Sequence, residues 1–303
     1  MNRTIFREYD VRGIVGADLD ESTVTTLGRA IGTYFSGRGI KSTVVGRDAR
    51  ISSPDVFDWL TSGLLSTGMD VIDAGMVPTP LLYFSVLHFK NDAGVMITGS
   101  HNPPDYNGFK MQIGHASVYG AMIQKIGDIA FSGDFAKGQG SMSTLEPVPE
   151  YLDYVARNIT LERTDIKAVV DAGNGVGGMV AIPLMRRLGL DPIELFCEPD
   201  GTFPNHHPDP TVPKNLEALI AKVRQTGADL GIGYDGDADR IGVVDSQGEI
   251  IWGDKLLLIF ARDILKDNPG AAVIGEVKCS KVLYDGVRES GGEPVMWKTG
   301  HSL

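Results

Sequence analysis

Cysteine is nearly absent from the 303-residue chain, which contains only Cys197 and Cys279. The two lie far apart in the sequence, so they lack the close spacing of metal-ligating cysteine pairs. With so few cysteines and no disulfide signal, a reducing cytoplasm is the expected location.

Basic residues and long apolar runs are also scarce. Lysine and arginine total 28 against 39 acidic residues, and the formal net charge is −11. This balance excludes a broad surface for nucleic acid or for an anionic membrane, since both need a basic face. No apolar run approaches the roughly 20 residues that span a bilayer, and the N-terminus has no hydrophobic signal region. We therefore expect neither a nucleic-acid partner nor a membrane partner.

Short apolar strands alternate with helical patterns along the chain, which predicts parallel sheets with helical crossovers. Similar units open at residues 43–45, 168–170 and 272–274, where an apolar strand runs into a polar, glycine-containing loop. A helical stretch, a glycine and a second strand follow each one. The predicted fold class is α/β: repeated mixed, mainly parallel sheet domains with helices on both faces, two of them complete and a third in part.

The repeat predicts domain 1 over residues 1–147, domain 2 over residues 148–249 and domain 3 over residues 250–303. Residues 131–144, rich in glycine, serine and lysine, are expected to be a linker. The third unit stops after its second strand, so we expect domain 3 to be incomplete.

Residues 98–110 (Thr-Gly-Ser-His-Asn-Pro-Pro-Asp-Tyr-Asn-Gly-Phe-Lys) form the most specific motif. Loops of this kind project from the carboxyl edge of a parallel sheet, where α/β proteins bind ligands. Ser100 stands on a stiff backbone there, which suits a nucleophile or a phosphate carrier. The alternative is a turn in which Ser100 and Asn102 bond their own backbone. A serine hydrolase is disfavoured, because no Gly-x-Ser-x-Gly surrounds Ser100 and because the adjacent His101 is expected to point away.

A second loop, Asp-Gly-Asp-Ala-Asp-Arg, places Asp235, Asp237 and Asp239 at alternate positions between two apolar strands. Alternate residues of an extended chain share one side, and three clustered carboxylates favour a hard divalent cation. Mg²⁺ is the best candidate because it binds carboxylates and phosphate oxygens together. An EF-hand is excluded, since strands flank the loop. Arg240 follows directly and could bond a phosphoryl oxygen or orient Asp239.

A third loop, residues 171–178, contains Gly-x-Gly-x-x-Gly between a strand and a helix. Dinucleotide binding is therefore an alternative, with Glu194 or Glu198 as the acidic partner. We favour a tight turn instead, because a carboxylate and Asn174 would crowd a pyrophosphate.

Several basic side chains lie at strand ends or near the N-terminus: Arg7, Arg12, Arg47, Arg50, Lys278, Lys298 and His301. Each alone fits a solvated surface charge, but together they predict a convergent anion site. His206 and His207 are interpreted as structural loop residues.

Residues 6–13 (Phe-Arg-Glu-Tyr-Asp-Val-Arg-Gly), the 98–110 loop and the 235–240 loop resemble the motifs of the α-D-phosphohexomutases, in the same order. The likeness runs along the whole chain, with further matches at residues 277–280 and 297–302, and is greatest to the phosphomannomutase/phosphoglucomutase members. In that family a phosphoserine donates its phosphoryl group to a hexose monophosphate, and the bisphosphorylated sugar reorients and returns its other phosphate.

The resemblance implies a role for each matching residue. Catalytic roles fall on Ser100 as the phosphoserine and on Lys110, Arg12 and His101. The implied metal ligands are Ser100, Asp235, Asp237 and Asp239, holding Mg²⁺, and the implied substrate-binding residues are Arg240, Lys278 and His301. A lysine near the metal is expected to have a lowered pKa.

The implied substrate is a hexose phosphate of the mannose or glucose type, with glucose 1,6-bisphosphate as phosphoryl donor. Phosphoglucosamine mutase and a non-catalytic module that binds metal and sugar phosphate are the alternatives. Family members also carry a sugar-reading loop in domain 3 and a fourth domain that grips phosphate. Neither is found in these 303 residues, so we expect slow turnover or none, with Mg²⁺ binding and a phosphoryl group on Ser100 still expected.

Overall fold

The structure is a computed structural model that describes residues 1–300. Within them, short 3₁₀ turns occupy Arg3–Ile5 and Pro213–Leu216. The helices are α1 (Glu21–Ser36), α2 (Ser53–Leu65), α3 (Thr79–His88), α4 (Ala121–Ser132), α5 (Val148–Asn158), α6 (Gly178–Arg187), α7 (Glu217–Thr226), α8 (Gly253–Asp267) and α9 (Lys281–Glu289). The strands are β1 (Val11–Ile14), β2 (Ser42–Arg47), β3 (Asp70–Met76), β4 (Ala93–Ile97), β5 (Tyr106–Ile113), β6 (Ala116–Ser117), β7 (Met142–Thr144), β8 (Ala168–Asp171), β9 (Ile193–Leu195), β10 (Leu230–Tyr234), β11 (Ile241–Asp245), β12 (Ile250–Ile251), β13 (Ala272–Glu276) and β14 (Glu293–Trp297).

The sheet topology confirms the predicted repeat. The first sheet has the order β1-β5-β4-β2-β3-β7, the second β12-β11-β10-β8-β9, and β13 pairs with β14. In the first two units the three parallel strands therefore lie in the same spatial order, third-first-second, and an antiparallel strand borders the third. The first two sheets are mixed and parallel at their centres, as predicted, whereas the pair β13-β14 is parallel only.

Helices cover both faces of the first sheet, because its central strands are apolar on both sides. Val45 and Val95 face the layer that contains α1, α2 and α4, whereas Val44 and Met96 face α3. The helices α1 and α2 approach closely at Gly28, where a Cβ would stand 2.3 Å from the carbonyl oxygen of Leu60. The core of the first unit therefore lies in two layers around one sheet.

The predicted linker is more ordered than its composition indicates. Its last residues, Met142–Thr144, form β7 and pair in parallel with β3 at the sheet edge. Gly140 lies against the neighbouring backbone, where a Cβ would stand 2.0 Å from the carbonyl oxygen of Met69. Glycine here allows two backbone segments to approach closely. Composition alone does not distinguish this role from that of a flexible linker.

The third unit is a two-stranded parallel sheet packed against α8 and α9. Leu258, Ala261 and Leu283 form its small buried cluster. Trp297 and Met296 on β14 are 58% and 55% exposed. Much of the apolar surface of this unit is therefore in contact with solvent. No helix within residues 1–300 is long and apolar enough to cross a bilayer.

Candidate active site

Two loops at equivalent places in the repeat meet at the boundary between the first two units. The Ser100 loop joins β4 to β5, and the loop with the three aspartates joins β10 to β11. Their backbones touch at Gly236, where a Cβ would stand 2.6 Å from the carbonyl oxygen of Ser100. The repeat thus brings the two most specific sequence motifs into direct contact.

Ser100 is buried, with 1% of its surface exposed, and has a left-handed backbone with φ of 49°. Its Oγ donates a hydrogen bond to Asp235 Oδ2 at 2.8 Å. Its Oγ also lies 3.1 Å from His101 Nδ1. The expectation that His101 points away is therefore wrong, because the left-handed turn at Ser100 brings the two adjacent side chains together. Burial, followed by the charge of Arg240, lowers the pKa of His101 to about 4, so its imidazole is neutral at pH 7.

Asp235, Asp237 and Asp239 form the predicted cluster, with one oxygen from each lying within 4.8 Å of the others. Asp235 and Asp237 are fully buried. Asp235 Oδ1 accepts the backbone N–H groups of Asp239 and Arg240, each at 3.0 Å. Ala238 has a φ of 58°, so the loop curls back instead of remaining extended. The three carboxylates converge because of this curl, and only in part because of their alternation.

Lys110 on β5 reaches into the acidic cluster and is 3% exposed. Its Nζ lies 2.6 Å from Asp237 Oδ2 and 2.5 Å from Asp239 Oδ2. Burial alone would lower the pKa of Lys110, but the two carboxylates outweigh burial and raise it above its ordinary value. The expected lowering concerns a lysine beside a bound metal and stays a prediction. A divalent cation in the cluster would repel the ammonium and reduce this rise.

The acidic cluster fits a hard divalent cation. Asp237 Oδ1 is buried and has no hydrogen-bond partner among residues 1–300. Burial, followed by the charges of Asp237 and Asp239, raises the pKa of Asp235 well above its ordinary value. An oxygen without a partner and carboxylates that repel one another are both stabilised by a cation with oxygen ligands.

Arg50 is 1% exposed and lies beneath the Ser100 loop instead of in an open anion site. Its Nε donates to Asp48 Oδ2 at 3.2 Å. Its Nη atoms donate to four carbonyl oxygens, those of Ser100 (2.8 Å), Asn102 (2.6 Å), Pro103 (2.5 Å) and Tyr106 (2.9 Å). Arg47 is also occupied, by Asp73 at 2.8 Å. Arg47 and Arg50, two of the basic residues predicted to form an anion site, are therefore paired with groups of the protein itself.

Arg12 lies on β1 beside the Ser100 loop and is 7% exposed. Its Nη2 forms an ion pair with Asp10 at 2.6 Å, and its Nη1 donates to Asn102 Oδ1 at 2.5 Å. Its Nε is buried without a hydrogen-bond partner among residues 1–300. Two of the five N–H donors of its guanidinium are thus used by Asp10 and Asn102.

An open cleft of about 350 Å³ lies above Ser100. It is lined by Arg7, Glu8, Tyr9, Asp10, Arg12, Ser100, His101, Lys110, Asp239 and Arg240. The structure thus brings together six of the predicted site residues outside the two buried aspartates, as well as Arg7 of the predicted anion site, and adds residues 8–10 to them. This volume suits a small, polar ligand.

The remaining predicted residues lie elsewhere. Lys278 is 72% exposed along its side chain, 3.4 Å from Glu276, and lines a separate cleft with Trp252 and Asp254. His301 lies outside the described residues. Domain 3 reaches the main cleft at Tyr9, whose Oη donates to the carbonyl oxygen of Thr299 at 2.8 Å.

The glycine-rich loop 171–178 packs against the acidic loop. A Cβ on Gly175 would stand 2.6 Å from the carbonyl oxygen of Gly236, and the side chain of Asn174 bonds Asn205. This packing supports the tight turn and leaves no room for a pyrophosphate at Gly175.

Of the two loop histidines, His207 links the second unit to the first, whereas His206 bonds within the second unit. His206 Nε2 lies 3.0 Å from Asp171 Oδ2, and His207 Nε2 contacts the carbonyl oxygen of His101. Both are thus structural, as interpreted from the sequence.

Sequence reasoning missed Thr79, whose hydroxyl contacts Asp237 from the first unit. The only available signal was the Pro-Thr-Pro at the start of a helix, a favourable helix N-terminus that says nothing about a distant aspartate.

Comparison with known proteins agrees with this geometry. Models of the alpha/beta/alpha domains I, II and III of phosphoglucomutase/phosphomannomutase match residues 3–137, 149–248 and 252–303. The chain therefore belongs to the phosphoglucomutase/phosphomannomutase family of α-D-phosphohexomutases. The predicted domain boundaries at 147 and 249 fall close to the gaps between these matches and stay predictions.

Individual relatives are similar over nearly all of this chain. A phosphomannomutase/phosphoglucomutase of Pseudomonas aeruginosa is 47% identical over 99% of this chain and 65% of that protein. A phosphoglucomutase of Neisseria gonorrhoeae is 46% identical over 100% of this chain and 66% of that protein. A crystal structure of a phosphoglucomutase/phosphomannomutase family protein from Burkholderia thailandensis has a TM-score of 0.97 and 45% identity, covering 100% of this chain and 68% of the other. The chain thus spans about two thirds of the length of these relatives.

Proposed function

We propose that this chain carries the phosphoserine and metal-binding parts of a phosphohexomutase that interconverts hexose 1-phosphates and hexose 6-phosphates of glucose or mannose. The observation that carries the proposal is the contact of Ser100 Oγ with Asp235 in a buried acidic cluster, at the foot of a cleft lined by cations. The names of the relatives support the same reaction.

Ser100 is proposed to carry the phosphoryl group. A hydroxyl oxygen of the hexose phosphate attacks the phosphorus, the bond from phosphorus to Ser100 Oγ breaks, and the hydroxyl proton passes to a base at the site. His101, whose neutral imidazole lies 3.1 Å from Ser100 Oγ, is the proposed acceptor of this proton, and Lys110, which bonds the acidic cluster, is the proposed group that orients the reactants. The bisphosphorylated hexose then reorients and returns its other phosphate to Ser100.

Asp235, Asp237, Asp239 and the oxygen of Ser100 are the proposed ligands of Mg²⁺. When bound, the ion neutralises charge on the transferring phosphoryl group. Arg12 and Arg240 line the same cleft and are proposed to bind phosphate oxygens, whereas Lys278 and His301 are proposed to bind substrate from domain 3.

Glucose 1,6-bisphosphate is the proposed phosphoryl donor that charges Ser100. We also propose a cytoplasmic location, which the pair of half-buried free cysteines supports because their thiols stay reduced there.

Transfer from the charged protein to a sugar tests the proposal. The 303-residue chain, phosphorylated on Ser100, is mixed with Mg²⁺ and glucose 1-phosphate, mannose 1-phosphate or glucosamine 1-phosphate, and bisphosphate formation is followed by ³¹P NMR. We expect one bisphosphate per phosphoserine with the glucose and mannose substrates, and none from Ser100→Ala.

Formation with glucosamine 1-phosphate alone would instead indicate a phosphoglucosamine mutase. Binding of all three sugars without any loss of protein phosphate would indicate a non-catalytic module.

A further inference from the structure

Thr79 joins the acidic cluster from the opposite unit of the molecule. It is the first residue of α3, it is fully buried, and it makes two contacts with one aspartate. Its Oγ1 donates to Asp237 Oδ2 at 2.5 Å, and its backbone N–H donates to the carbonyl oxygen of Asp237 at 2.9 Å. Main chain and side chain of Asp237 are therefore both held by Thr79.

The two carboxylate oxygens of Asp237 have different surroundings. Oδ2 accepts hydrogen bonds from Thr79 Oγ1 and from Lys110 Nζ, the latter at 2.6 Å. Oδ1 is buried and has no partner among residues 1–300. A carboxylate oxygen offers about two lone-pair sites, so the two donors occupy both sites of Oδ2. They also hold the Asp237 carboxylate against rotation about its Cβ–Cγ bond. Only Oδ1 is left to bind a ligand.

We infer that Thr79 is a positioning residue that holds Asp237 with Oδ1 free for the divalent cation. The inference rests on the proposed function, since it requires a cation in the acidic cluster. Lys110 alone cannot fix the carboxylate, because its flexible ammonium also bonds Asp239 and would follow Asp237 if the group turned. The hydroxyl of Thr79 stands on a helix terminus and cannot follow.

Removal of that hydroxyl tests the inference. Thr79→Val keeps the shape of the side chain but donates no hydrogen bond, and Thr79→Ser restores the donor. Thr61→Val is the matched control, because Thr61 is also buried and its hydroxyl bonds only within α2, at 2.8 Å to the carbonyl oxygen of Phe57. Binding of Mg²⁺ by calorimetry, binding of Mn²⁺ by electron paramagnetic resonance, and Tm are measured on the 303-residue chain.

We expect Thr79→Val to weaken cation binding by roughly tenfold to a hundredfold, the usual loss when a partner of a metal ligand is removed. Thr79→Ser and Thr61→Val should bind as the parent does, although Thr61→Val is expected to lower Tm. The loss of cation affinity would then be specific to Thr79→Val, and the loss of a buried threonine hydroxyl would not by itself weaken cation binding. A purely structural role for Thr79 predicts the same cation affinity for both variants.

Two results would overturn the inference, in distinguishable ways. If Thr79→Val binds the cation as tightly as Thr61→Val, Thr79 has no positioning role and the metal site itself stands. If the parent protein binds neither Mg²⁺ nor Mn²⁺, the metal assignment of the proposed function fails and the inference fails with it.

Discussion

The guanidinium of Arg50 is buried beneath the Ser100 loop and donates to four of its carbonyl oxygens. A planar fork with five donors matches this arrangement, and an ammonium does not. The loop conformation at Ser100 therefore depends on one side chain that approaches it from the end of β2.

Arg50→Met should lower the free energy of unfolding by about 3–5 kcal/mol, because it leaves Asp48 and the loop carbonyls buried without their partner. Arg50→Lys keeps the charge and should recover part of this loss. Urea unfolding measures both. Arg262→Met, at an exposed arginine, is the control and should change stability by less than about 0.5 kcal/mol. An effect of Arg50→Met no larger than that of the control would contradict this role.

His206 gives the stability of the protein a specific dependence on pH. Burial would lower the pKa of His206, but the hydrogen bond and charge of Asp171 outweigh it and raise the pKa above 6.5. A raised pKa means that the charged imidazolium stabilises the folded state below about pH 6.5, and that this contribution is lost as the pH rises through the folded-state pKa.

The difference in unfolding free energy between the parent and His206→Asn should therefore be largest at pH 6 and smaller at pH 8.5. Chemical denaturation at the two pH values measures it, with His115→Asn, at an exposed histidine, as the control. A difference that grows toward pH 8.5 would contradict the pairing.

Single residues also show what the sequence could and could not predict. The clustering of the three aspartates and the position of Ser100 on a loop motif were predictable, since each residue lies in a short motif with recognisable chemistry. Thr79 was not, because its partner Asp237 is 158 positions away and only tertiary contact joins them. The contact of Lys110 with Asp237 and Asp239, which raises its pKa, was not predictable for a similar reason, because the two carboxylates come from another unit.

At the scale of elements, the strand-helix-strand repeat was predictable because its period is carried by apolar strands and by glycines at the turns. Gly68 and Gly189 have φ of 85° and 87°, so each of these turns requires a residue that tolerates left-handed backbone. The edge strand β7 was not predictable, because it has three exposed residues and its pairing depends on the backbone of β3. Propensity carries little information for so short an element.

The contact between the two loops makes a prediction about Gly236. Gly236→Ala would place a Cβ 2.6 Å from the carbonyl oxygen of Ser100 and force the acidic loop away from it. We expect a loss of about 1–3 kcal/mol in unfolding free energy and weaker Mg²⁺ binding, measured by urea unfolding and calorimetry.

Gly253→Ala is the matched control, because a Cβ there meets no atom within 4 Å and lies at the start of α8. Equal behaviour of the two variants would show that the loops are not in close contact.

At the scale of the whole molecule, the three units differ in how far helices shield the sheet of each unit from solvent. The first two have central parallel strands buried between helices, whereas the third has a two-stranded sheet with Ile274 and Trp297 62% and 58% exposed. Two-stranded sheets are marginally stable unless other elements pack against them.

Amide hydrogen exchange should therefore be slowest in β2, β4 and β8 and faster in β13 and β14. Exchange monitored by mass spectrometry over the described residues measures this order. Protection of β13 and β14 equal to that of β4 would contradict it.

We propose above all that Ser100, held against the acidic cluster, accepts a phosphoryl group. The most direct measurement is the intact mass of the dephosphorylated chain after incubation with Mg²⁺ and glucose 1,6-bisphosphate, with Ser100→Ala as the control. We expect a gain of one phosphoryl group in the parent alone. No gain in folded parent protein, or an equal gain in Ser100→Ala, would contradict the assignment of Ser100 as the phosphoryl carrier.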